Sequence, residues 1–209
     1  MKKYALLLLI MFMGYHVSSF AQAVDDQAVV PVSVTLNSIL RLNVESGGNI
    51  EFNFNTLEQY NNGISGLNVD DQYSTKITVA SSVNWKLEMG AEDPHLVSTD
   101  VVDTSSTAGT MPLPYIIYQT TITGGLDASN VDINSNGTPQ ALSQIGSAND
   151  DLITNTNGNA GAISQNAFRI DWGCGLPSGS FSASRGTLMG SNFTGGRYST
   201  NVFFRLSPD

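Results

Sequence analysis

The chain has 209 residues, with 18 acidic against nine basic side chains, one cysteine and two histidines. That balance excludes nucleic acid and electrostatic docking to anionic lipid, since both need basic surface. Only 13% of residues are charged, and Asn, Ser, Thr and Gly fill the polar positions, which excludes a Glu/Lys/Ala-rich helical bundle.

The N-terminus reads as an export signal. Lys2 and Lys3 form a positive start, residues 5–13 are an unbroken apolar run, and Ser18, Ser19, Ala21 and Ala23 supply small residues for cleavage. A cleaved signal peptide over residues 1–21 is predicted, with cleavage after Ala23 as the alternative. The apolar run is shorter than the roughly 20 residues a membrane helix needs, so no transmembrane anchor is expected. Seven basic residues then face all 18 acidic ones in the remainder. Residues 24–209 are expected to form one domain outside the cytoplasm. Cys174, alone, permits no internal disulfide and is expected to be a buried small hydrophobe, an intermolecular bridge being the alternative.

Period-two alternation dominates the chain beyond the signal. The apolar series are Val30, Val32, Val34, Leu36; then Leu40, Leu42, Val44; then Ile50, Phe52, Phe54; then Tyr73, Thr75, Ile77, Val79; then Val83, Trp85, Leu87, Met89. Residues 115–122 are rich in β-branched and aromatic side chains. Phe168, Ile170 and Trp172 alternate next, and Tyr198, Thr200, Val202, Phe204 and Leu206 close the chain. Alternate side chains of a strand share a face, so each run offers one apolar and one polar side. Turn signals at residues 46–49, 61–63, 81–82, 124–125 and 195–196 separate the runs, and residues 40–54 read as a hairpin about Gly47-Gly48. No helix of three turns is expected.

These runs predict an all-β fold: an antiparallel, immunoglobulin-like two-sheet sandwich of about eight strands, a closed barrel being the alternative. Residues 124–165, rich in Gly, Asn and Ser, are expected to be a long loop insertion, with a short hairpin near Leu142 or Ile153.

Chemistry is sparse. His95 and Cys174 are the right residue types for nucleophilic catalysis, but neither sits in a nucleophile-elbow context, and one His with one Cys cannot make a zinc site. The carboxylate pairs Asp70-Asp71, Glu92-Asp93, Asp100 with Asp103, and Asp150-Asp151 fall in turns, where Asp bonds its own backbone. An enzyme is not expected. Asp132, Asn134 and Asn136, followed by Gly137, match the opening of a calcium loop, but Ser143 stands where a bidentate Glu belongs. Calcium is the one cofactor for which residues present themselves. Trp85, Trp172 and Phe203 are candidate ligand-facing aromatics. By parity the two tryptophans belong to the core, whereas Phe203 is opposite to its strand's apolar set.

The final strand, Gly-x-Tyr-x-x-x-Val-x-Phe over residues 196–204, resembles the last strand of fimbrial (pilin-type) and spore-coat-U-like exported bacterial β-sandwiches. Residues 77–79 running into 85–87 are similar to the central strand pair of such domains, whose usual cysteine pair is absent here. The resemblance implies a non-enzymatic structural or adhesive subunit of a surface fibre or coat, located at the cell surface, in a fimbrium, free outside the cell or in the periplasm. It also implies assembly by donation of an N-terminal strand, here Val30, Val32, Val34 and Leu36, to another copy or another surface protein. The same segment is otherwise the first strand of its own sandwich. A second reading is a secreted module binding carbohydrate or another ligand through residues 124–165 and the candidate aromatics.

Overall fold

The computed structural model describes residues 30–67, 71–100, 109–177, 186–191 and 193–209. The candidate signal segment, Asp70 and Asp103 lie outside the described residues. The chain divides into two units, Met1–Leu36 and Asn37–Asp209. In the first, residues 30–36 belong to neither helix nor strand. The reading of this segment as the first strand of its own sandwich is therefore corrected.

The second unit is an all-β sandwich, as the alternation predicts. Its larger sheet has the order β1 (Leu40–Ser46), β3 (Ser74–Ser81), β11 (Ala167–Cys174), β7 (Ile116–Ile122), β9 (Gln140–Ala141), with β2 (Ile64–Ser65) also pairing β11. The facing sheet has the order β13 (Val202–Pro208), β4 (Trp85–Ala91), β10 (Asp151–Asn155), β8 (Val131–Ile133). A small third sheet, absent from the two-sheet expectation, joins β12 (Tyr198–Ser199), β5 (His95–Ser98) and β6 (Thr110–Pro112). All the ladders among the described residues are antiparallel.

The core lies between the two larger sheets. Ile77 and Val79 of β3 and Phe168 and Ile170 of β11 meet Trp85 and Leu87 of β4, and all six are fully buried. The Trp85 and Phe168 rings meet edge to face at 5.9 Å. This inward parity is the one the alternation assigns. The outer faces depart from a wet surface: β7 and β11 are buried on both sides over most of their length. Part of that cover comes from Leu67 and Leu176, which pack on Ile117.

Residues 50–54 keep their alternation, with Ile50, Phe52 and Phe54 half-buried, but join no ladder. The hairpin expected about Gly47-Gly48 is thus absent, because β1 pairs only β3 and the chain turns away at Gly47. Gly47 has φ +69°, and a Cβ there would lie 1.9 Å from the Ser74 carbonyl oxygen. Thr75 Oγ1 donates to the Gly47 carbonyl at 2.8 Å, fixing that approach. The chain then forms α1 (Leu57–Asn62), started by a capping box between Thr56 and Gln59 and ended at Gly63.

Residues 124–165 are corrected from a loop to an integral part of the sandwich. They supply β8, β9 and β10. Five of their apolar side chains, Val131, Ile133, Leu142, Leu152 and Ile153, are buried in the core cluster, whereas Ile163 stays exposed. Asn159, fully buried, braces the segment against β4. Its Oδ1 accepts from the Trp85 backbone N–H at 2.9 Å, and its Nδ2 donates to the Trp85 carbonyl at 2.7 Å. Its own carbonyl accepts from Trp85 Nε1 at 2.8 Å.

Candidate functional site

The tryptophans are not ligand-facing. Trp85 is fully buried and Trp172 nearly so, and the Trp172 indole N–H donates to Thr75 Oγ1 at 2.9 Å. Both stand in the core, where strand parity puts them, and the alternative of ligand-facing tryptophans is set aside. Phe203 differs: it stands on the outer face of β13 and is 47% exposed.

His95 opens β5 and is exposed, its imidazole making no hydrogen bond among the described residues. Cys174 ends β11 inside the larger sheet, and burial pushes its thiol up to about 12. A thiol so placed stays protonated and shielded, which suits neither a nucleophile nor a bridge to another chain.

The carboxylates serve local structure. Asp71 meets Lys76 at 3.4 Å and Arg169 at 3.2 Å. Glu92 Oε2 accepts from Asn201 Nδ2, and Asp100 Oδ2 accepts from the Arg197 backbone N–H. Asp150 Oδ2 accepts from the Gly146 N–H at 2.6 Å. Asp150 and Asp151 do converge with a third carboxylate that no local pairing in the sequence announces, Glu88 of β4, their oxygens lying within 4.8 Å of one another. Register explains it, because Asp151 is the cross-strand partner of Glu88. Two cations already answer this cluster: Lys86 Nζ lies 2.8 Å and Arg205 3.3 Å from Glu88.

The hydrogen bond from Lys86 and the nearby positive charges hold the Glu88 carboxyl below its ordinary value of 4.5. A depressed carboxylate stabilises the fold above its unfolded value, and that contribution is lost as pH falls through the folded value. Glu88→Gln should therefore lower the melting temperature at about pH 7, with the deficit shrinking as pH falls through the depressed folded value of Glu88. A thermal-melt series across pH checks this; a deficit persisting in acid would mean that Glu88 acts by packing.

Asp132 lies on β8, and Asn134 and Asn136 follow in a turn closed by the Asn136 N–H donating to the Ile133 carbonyl at 3.0 Å. All three side chains are exposed. Gly137, at φ +69°, completes the turn, so turn chemistry accounts for the motif's residue types.

The sandwich has two open sides. At one, β1 and β13, each the terminal strand of its sheet, lie beside one another without pairing. Their inward side chains, Leu40, Leu42, Val202, Phe204 and Leu206, pack on the core but remain only partly buried. At the other, β8 and β9 end their sheets, and two adjoining cavities open there. Val30, Val32, Val34 and Leu36 are 79%, 85%, 78% and 90% exposed, the most continuous run of bare apolar side chains among the described residues. No helix among the described residues is long and apolar enough to cross a membrane. No protein-family model matches the chain, and no curated protein matches it.

Proposed function

We propose that this chain is an exported, non-enzymatic structural or adhesive subunit of a fimbria-like or coat-like surface assembly, joined by strand donation. The observation that carries the reading is the row Val30, Val32, Val34 and Leu36: strand-patterned, outside any strand, and exposed. Soluble proteins rarely leave contiguous apolar surface bare unless it meets a partner. The acceptor in this reading is the β1–β13 side of another copy. Both strands there have an unpaired backbone edge, and their half-buried inward residues leave apolar surface to cover. An added strand would satisfy the edge N–H and C=O groups while its alternate side chains enter between the sheets.

The experiment is deletion of residues 24–36 from the mature protein, followed by negative-stain imaging and sedimentation. The intact mature chain should form polymers, and the deleted chain should remain folded and monomeric. Polymers of unchanged length from the deleted protein would refute strand donation.

A further inference from the structure

We propose that the cleft at the β8–β9 side binds an uncharged, hydroxyl-rich ligand of mono- or disaccharide size. Two cavities of about 320 and 360 Å³ adjoin there, sharing Asn134 and Asn149 in their walls. Each lies within the range of small-ligand sites, roughly 300–1,000 Å³.

Tyr118 points to a ligand. It lines the first cavity and is only 2% exposed, its ring tilted against Trp172 at 5.9 Å. Among the described residues its hydroxyl has no hydrogen-bond partner, and the oxygen itself stays within reach of solvent, as a hydroxyl at a cavity wall must to meet a ligand. Burial, with a smaller push from Asp150, raises this phenol to about 12, so it stands as a neutral donor and acceptor.

The amides around it are equally unengaged. Gln140 and Asn134 line the cavity with Asn149, and none of the three side chains makes a hydrogen bond among the described residues. By contrast, six other asparagine amides, those of Asn84, Asn155, Asn157, Asn159, Asn166 and Asn201, bond within the fold.

The lining selects the chemistry. Each amide offers a donor and an acceptor, the complement of a hydroxyl, which also does both. Asp132 and Asp151 in the second cavity accept only, which suits hydroxyl donors and repels anions. No cationic side chain lines either cavity among the described residues. Leu142 and Ala141 add apolar contact for the C–H faces of a sugar ring. The site lies on the side of the sandwich away from β1 and β13, so it stands or falls independently of strand donation.

The test is saturation-transfer NMR on the mature protein with glucose, galactose, mannose, N-acetylglucosamine, maltose, cellobiose and lactose. At least one should receive saturation. Affinity for it should fall about tenfold or more in the Asn134→Ala/Asn149→Ala double variant, both residues being exposed and safe for folding. Tyr118→Phe should weaken binding severalfold while keeping the melting temperature, because the hydroxyl it removes makes no hydrogen bond to the protein among the described residues. Absence of transfer to every sugar in the panel would overturn the proposal. So would transfer unchanged in the double variant, or a Tyr118→Phe protein that melts well below the parent.

Discussion

Replacing Asn159 with Ala should destabilise the protein by about 2–6 kcal/mol, on the scale of a small domain's whole stability of roughly 5–15 kcal/mol. The substitution removes little apolar contact. Its cost comes from the groups it abandons: the Trp85 backbone N–H and C=O, each bonded to the Asn159 amide inside a fully buried site. An unpaired buried backbone group costs about 1–3 kcal/mol, and burial this complete denies solvent the amide's place. Asn159→Asp should also destabilise, since it keeps an acceptor for the N–H but cannot donate to the carbonyl, and it buries a charge. Asn157→Ala is the control: its amide donates to the Ser129 carbonyl at an exposed site, and the loss should stay well under 1 kcal/mol. Chemical denaturation of the three variants ranks them. An Asn159→Ala protein within about 1 kcal/mol of the parent would show that these amide hydrogen bonds carry little of the global stability.

Asn159 also marks the limit of what local pattern can tell. The inward rows Ile77-Val79, Trp85-Leu87-Met89 and Phe168-Ile170-Trp172 are legible because a half-buried strand needs alternation, and the structure keeps their parity. The stretch around Asn159 reads as loop because it carries few large apolar residues. It folds into the sandwich because most of those few, Val131, Ile133, Leu142, Leu152 and Ile153, are buried and polar struts close the rest. A polar strut leaves no periodic signal: its partners are the backbone of Trp85, distant in the chain. The strands without a clear pattern, β2, β5, β6, β8, β9 and β10, have two to five residues, too short for a period to show. Residues 50–54 err the other way, for their alternation reflects packing of Phe52 on Tyr73 at 5.0 Å without ladder hydrogen bonds.

The candidate sites divide along the same line. Exposure of Phe203 follows from parity, and the N-terminal apolar row is visible as a pattern, although only the structure shows it bare. The carboxylate cluster depends on the register that sets Asp151 opposite Glu88. The cavity at Asn134 and Asn149 depends on the chain returning past β7, which brings Tyr118 to its wall. Pairing register and long-range return are not written in local spacing.

Assembly should be abolished by changing Val32 and Val34 to Asp together, with the isolated subunit's melting temperature unchanged. Both side chains are about four-fifths exposed in the subunit, so a charge there costs its fold almost nothing. In a donated strand they would be buried, and each buried valine contributes about 1.5–3 kcal/mol. Losing two removes about 3–6 kcal/mol, equivalent to a hundredfold or more in affinity, before the penalty of burying two carboxylates. Val32→Ile should have the opposite sign or none, because it keeps the apolar, β-branched character that a strand favours. A synthetic peptide of residues 28–38 sharpens the test. Added to protein lacking residues 24–36, it should raise the melting temperature in proportion to the logarithm of its concentration, as any ligand of the folded state does. The same peptide carrying both Asp changes should not. If both peptides leave the melt unmoved while the intact chain still polymerises, the contacts that build the polymer lie elsewhere, with exposed Phe203 on the outer face of β13 the next surface to change.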